Sequence, residues 1–190
     1  MSRAWVVKGL DPDAPLALNA RRVLAVRIGE FYAWDPIVDD NDHTDELHQL
    51  RISAKRLRYT LELFRDVFGE AGKISIERVR EIQTVLGAFH DQDVRIALIE
   101  DELRRLAGEP SDALGSAGSE SSSIRPNLTL QSRPEDARSG LIHLLERQHT
   151  AQQATLLEFR TLWERLKEEN MRETLVSLSF LQFPNAAAEA

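Results

Sequence analysis

Apolar residues recur at three- and four-residue spacing along four long stretches of this chain, and nowhere do they alternate with polar residues as a half-buried strand requires. Between Leu16 and Trp34 the repeat is carried by Val23, Leu24, Ile28, Phe31 and Trp34, and Asp35-Pro36 ends it because a residue before proline avoids the α region. A second helix, predicted over 43–68, follows "DDNDHTDEL", whose side chains cap free amides and whose acids suit a helix's positive end; Gly69 and Gly72 stop it. A third covers 74–106 through Val79, Ile82, Val85, Leu86, Phe89, Ile96 and Ala97, with Gly87 marking a bend. "SRPE" at 132–135 is a capping box with proline in the first turn, and the stripe of Leu141, Leu145, Leu156, Phe159, Trp163 and Leu166 carries a fourth helix to 168. A short helix over 171–182 ends before Pro184.

The expected fold is therefore all-α: an antiparallel bundle of four long helices plus a short C-terminal helix, in one domain over 1–183. "SRAWVVKGLDPDAP" reads as an extended lead-in. Residues 108–131, with "GSAGSESSS", have too little apolar surface to offset ordering entropy and read as a flexible loop, and 184–190 as a frayed tail.

Composition narrows the function. Without cysteine there are no disulfides, thiolate metal sites or thiol nucleophiles, which fits a reducing compartment, so a cytoplasmic location is expected. No run reaches the ~18 apolar residues of a membrane span, and no secretory leader is evident, so no membrane partner is expected. A net charge of −7 argues against coating nucleic acid through a general field. Any polyanion must be caught locally.

The second helix offers such a place in "LHQLRISAKRLRY". With Leu47 at zero, Leu50, Ala54, Leu57, Leu61, Phe64 and Phe68 fall at roughly 260–340° and form the core face. His48, Arg51, Lys55 and Arg58 gather at roughly 20–100°, beside a second apolar strip of Ile52, Tyr59 and Leu63 at roughly 120–160°. Gln49, Ser53, Arg56 and Thr60 take the rest and are expected on the solvent side, which turns the cationic stripe away from open water. Three readings compete: a solvated cationic face, pairing with acids such as Asp93 and, at i+4 from Arg58, Glu62, or a groove lined by cations for an anionic ligand. Arg21 and Arg27 on the first helix and His149, Arg160 and Lys167 on the fourth border their apolar faces, and Lys8 lies in the lead-in. Singly these are snorkelling side chains; together they favour a groove.

"LHQLRISAKRLRYTLELF" followed by "REIQTVLGAFHDQDV" resembles the CHAD family, the histidine-containing α-helical domains. The likeness rests on His48, on Arg51, Lys55, Arg56, Leu57, Arg58 and Tyr59, and on the "LG" and "DQD" of the third helix. It implies a helical domain whose basic channel or groove binds inorganic polyphosphate, with no catalytic residues and no cofactor. Many members hold two bundle halves, each with a histidine and arginine helix, whereas this chain shows one such helix. Either a single bundle suffices, or self-association as a homodimer completes the groove, or the chain is a fragment.

On this reading Arg51 and Arg58 offer paired donors to phosphate oxygens and Lys55 a point charge, with His48, Arg56, Tyr59, Arg21, Arg27, Lys8, His149 and Arg160 completing the binding set. A neutral His48 donates one hydrogen bond and a protonated one adds charge, so binding is expected to strengthen on mild acidification. Single-stranded nucleic acid is the alternative ligand, with Tyr59 alone as a stacking platform, and duplex recognition does not suit a flanked stripe. A phosphoanhydride-processing or metal-binding role is the rival of another class. A site of His43, His48 and His90 would have its divalent ion repelled by the cations around His48, and Asp91 and Asp93 do not share a face. Asp91, Asp93 and Gln83 read as packing and cation-orienting groups. Location at polyphosphate granules follows from the same resemblance.

Overall fold

The computed structural model describes residues 3–38, 44–108 and 134–180. The expected flexible loop and frayed tail lie outside the described residues, apart from Gly108. Every regular element among them is helical: α1 (Leu16–Tyr32), a 3-10 turn (Asp35–Ile37), α2 (Thr44–Leu63), α3 (Arg65–Leu106), α4 (Pro134–Glu168) and α5 (Met171–Phe180).

The chain divides into two compact units, Met1–Ala88 with Thr155–Ala190, and Phe89–Ala154. The first holds α1, α2, the start of α3, the end of α4 and α5. In it α1 packs on α2 and α5. Its core joins Leu24, Ile28 and Phe31 of α1, Leu50, Leu57 and Leu61 of α2, Val79, Ile82 and Leu86 of α3, Phe159 and Trp163 of α4, and Leu175 of α5. Phe31 and Phe159 contact Trp163 with ring centroids 5.3 and 5.7 Å apart, and the indole Nε1 donates to Asp35 Oδ1 at 2.9 Å. That bond satisfies the one polar atom of a buried tryptophan. In the second unit Phe89, Ile96 and Ile99 of α3 are buried and Leu141 and Leu145 of α4 half-buried.

The break between the second and third predicted helices falls at Gly69, whose φ of 57° and ψ of −142° interrupt α3. Only glycine takes that conformation cheaply. Gly72 is needed for space, because a Cβ there would lie 2.5 Å from Cβ of Phe68. The bend expected at Gly87 is corrected: its backbone is helical, and the non-helical residue inside α3 is Gly69. The lead-in lies against α1 without regular structure, but it is not extended throughout as expected: Gly9 takes a φ of 74°, and a turn follows in which Ala14 N donates to Asp11 O at 3.2 Å. Arg22 donates to the Gly9 carbonyl, Arg27 to that of Trp5 at 3.2 Å, and the Trp5 ring sits where a side chain at Gly29 would crowd it.

The core face of α2 is as the sequence predicts, with Leu50, Ala54, Leu57, Leu61 and Phe68 buried, but the strips on either side of it differ from the expectation. Ser53 and Thr60 are buried, Arg56 is half-buried, and Tyr59 and Leu63 are 50% and 75% exposed. The cause is Glu30 of α1, 2% exposed, whose two carboxylate oxygens accept from Arg27 and Arg56. A carboxylate at the interface allows a polar face to be buried. Ser53 and Thr60 follow it inward because each hydroxyl is satisfied on its own helix, by Leu50 O at 2.8 Å and Arg56 O at 3.0 Å.

Replacing Glu30 by alanine leaves two guanidiniums at the α1–α2 interface without their acceptor. Because both arginines retain some solvent contact, Glu30→Ala is expected to cost about 2–3 kcal/mol in urea denaturation, below the full penalty for an enclosed pair.

Candidate functional site

With Arg56 turned inward, the face of α2 that carries Arg51, Lys55 and Arg58 opens toward α3. These residues, with Tyr59, line a cavity of about 270 Å³ whose other wall is Gln83 and Gly87, one turn apart on α3. Arg51 and Arg58 are two turns apart, spreading the cations over about 10 Å of helix.

Their pairing is unequal. Arg58 Nη1 donates to Glu62 Oε1 at 3.0 Å, the i+4 partner expected from sequence. The same oxygen accepts Arg80 Nη2 at 3.1 Å, and Arg80 also meets Glu77 at 2.5 Å. The hydrogen bonds that Arg80 donates to Glu62, then to Glu77, push its guanidinium above its ordinary range. No carboxylate lies within ion-pair distance of Arg51 or Lys55 among the described residues. Tyr59 steadies the row: Arg58 lies 4.8 Å and Lys55 5.7 Å from its ring centroid. On two residues that line the cavity, the donors Arg58 Nε and Gln83 Nε2 are closed to solvent and have no hydrogen-bond partner among the described residues. A buried donor without an acceptor is unfavourable. The cavity thus offers positive charge, and two of its lining residues hold N–H groups that a turn of the side chain would bring to a ligand made of anionic acceptors.

The structure brings Arg51, Lys55, Arg58 and Tyr59 together. His48 lies one turn before Arg51, half-buried and outside the cavity lining. Arg27 and Arg56 serve Glu30, Arg21 is half-buried on α1, and Lys8 is exposed in the lead-in. Arg160 Nε donates to the Val38 carbonyl at 2.9 Å, fixing the segment after α1 to α4. Lys167 is near Asp35 and Glu164, at 3.8 and 2.8 Å. His149 is exposed in the second unit, to which Asp93 also belongs; no ion pair of Asp93 occurs among the described residues. Sequence reasoning missed the part of Gln83 and Gly87 in the cavity. The available signal was their i, i+4 spacing, which puts an amide and a residue without a side chain on one face of α3.

Among the described residues no group of three or more His, Asp or Glu side chains is placed to hold a metal ion, and no helix is long and apolar enough to cross a membrane. Residues 3–100 match the family model described as the CHAD domain. The match takes in α1, α2 and α3 up to Glu100, and so every residue lining the cavity. No curated protein and no solved structure matches the chain.

Because Arg51 and Lys55 have no acid partner among the described residues, their removal is expected to be stability-neutral. Arg51→Ala and Lys55→Ala should each move the unfolding free energy by no more than about 0.5 kcal/mol, whereas Arg56→Ala, which leaves the buried Glu30 with Arg27 alone, should cost about 2 kcal/mol in the same denaturant titration.

Proposed function

The chain belongs to the CHAD domain family, and from that premise we propose that it binds inorganic polyphosphate in the cleft between α2 and α3, without catalysing a reaction on it. The observation that carries the proposal is one cavity lined by Arg51 and Lys55, which meet no acid among the described residues, and by Arg58 and Gln83, each with an enclosed donor that finds no acceptor among them. Polyphosphate supplies what such a place lacks, a row of negatively charged oxygens that accept and need not donate. Arg51 and Arg58 present planar sets of N–H groups to neighbouring phosphates, and Lys55 between them acts as a compact charge. Glu62 holds Arg58 at one end of the row.

The acidity of the whole chain fits this reading. A net charge of −7 repels polyanions at long range, so binding depends on close contacts in the cleft and is sensitive to salt. Single-stranded nucleic acid is disfavoured by Tyr59, whose ring already has Arg58 and Lys55 against it and so offers less face for a base. A non-catalytic role is favoured by the lining, which supplies no carboxylate to hold a divalent ion on a phosphoanhydride. Both walls of the cleft come from one chain, which makes a single copy the simplest binding unit, and residence at polyphosphate granules in the cytoplasm would follow from the same affinity.

Calorimetric titration of the native chain with long-chain polyphosphate at two salt concentrations tests the proposal. Binding is expected to weaken steeply with salt and to survive an excess of poly-dT. In Arg51→Ala/Arg58→Ala it should fall about 100-fold, because two charge-assisted hydrogen-bonding groups are removed together. Equal affinity for poly-dT, or full affinity in the double variant, would remove this reading.

A further inference from the structure

The cations of α2 account for attraction but not for the shape of the cleft, whose second wall is uncharged. Gln83 is half-buried, with Nε2 fully enclosed and without a partner among the described residues. Gly87, one turn on, is also half-buried; a Cβ built there meets no atom within 4 Å, so the absence of a side chain is not forced by packing. Its φ is not in the left-handed region and the helix around it is regular, so backbone geometry does not require glycine either. In the interior of a helix glycine is the less stable choice. Neither residue is explained by the fold, and both line the cavity that holds Arg51, Lys55 and Arg58.

We infer that Gln83 and Gly87 form a neutral wall that determines what enters the cleft, Gln83 by donating its amide hydrogens directly to a phosphate oxygen and Gly87 by keeping the space for that phosphate open. The inference rests on the polyphosphate reading and adds a contact and a steric limit from a second helix. An amide donor beside two guanidiniums favours an oxygen-rich anion over a monatomic one, because it rewards a directed acceptor rather than charge alone. The bare helix surface at Gly87 leaves room for a phosphate beside α3, toward which the enclosed Gln83 amide turns to donate, and a larger side chain takes that space.

Neutral and charged donors have different signatures. Removing a cation weakens binding and lowers its salt dependence, while removing an amide weakens binding and leaves the salt dependence alone, since no counterion is released on its account. The test titrates the native chain, Gln83→Leu, Gly87→Leu and Arg51→Ala with long-chain polyphosphate at three salt concentrations, and records the melting temperature of each free protein. Gln83→Leu is expected to bind about fivefold to tenfold more weakly with an unchanged salt slope. Gly87→Leu is expected to bind more than about tenfold more weakly while melting close to the native chain, because its Cβ meets no atom within 4 Å and the helix gains. Arg51→Ala should lower both affinity and slope.

Native affinity in Gln83→Leu or in Gly87→Leu overturns the inference and leaves the polyphosphate reading intact. A reduced slope in Gln83→Leu also overturns it, since the amide would then act only by holding an arginine. No binding by the native chain overturns both.

Discussion

The carboxylate of Glu30, buried between Arg27 and Arg56, fixes how α2 sits on α1. Along "RISAKRLRY" cations occur on two sides of the same helix, and only one side can be open. An unpaired guanidinium is costly to bury, while one that meets a buried carboxylate is tolerated. Glu30 therefore selects the Arg56 side for the interior. Arg51, Lys55 and Arg58 are left facing α3, with Tyr59 and Leu63 toward solvent. The ion pair belongs to stability, and through it to the position of the site.

The result is a division of labour among chemically similar residues. Arg27, Arg56 and Arg160 hold elements together, through Glu30 and through the carbonyls of Trp5 and Val38. Arg58 does both, since Glu62 anchors its terminal nitrogen while the residue lines the cavity and its enclosed Nε has no partner among the described residues. Arg51 and Lys55 have no carboxylate to answer them among the described residues. Mutual repulsion in such a row is tolerable because the charges are partly solvated and spaced along the helix, and because Tyr59 offers its ring to two of them. An anion entering there relieves the repulsion and satisfies the spare donors at once.

Much of this was legible in the sequence. The helices and the break at Gly69 follow from apolar spacing and from glycine chemistry, both of which are local. The family was evident from one helix and the "DQD" turn of the next, and the Arg58–Glu62 pair from i+4 spacing. What failed was the orientation of the polar side of α2. A helical wheel assigns Ser53, Arg56 and Thr60 to solvent on polarity, and cannot know that a glutamate 26 residues before Arg56 will meet it. The α3 wall was missed for a similar reason: Gln83 and Gly87 gain meaning only when packing places them opposite Arg51 and Lys55. Non-local pairing decides such matters, and single-helix periodicity does not contain it.

On the proposed reading, α2 carries two cationic faces and the ligand uses the one that Glu30 leaves open. The most direct measurement is an NMR titration of the native chain with a short polyphosphate, following arginine Nε–H and glutamine side-chain amide resonances. Shifts are expected at Arg51, Arg58 and Gln83, with Arg27 and Arg56 unmoved. Shifts at Arg27 and Arg56 with none at Arg51 and Arg58 would contradict that choice of face.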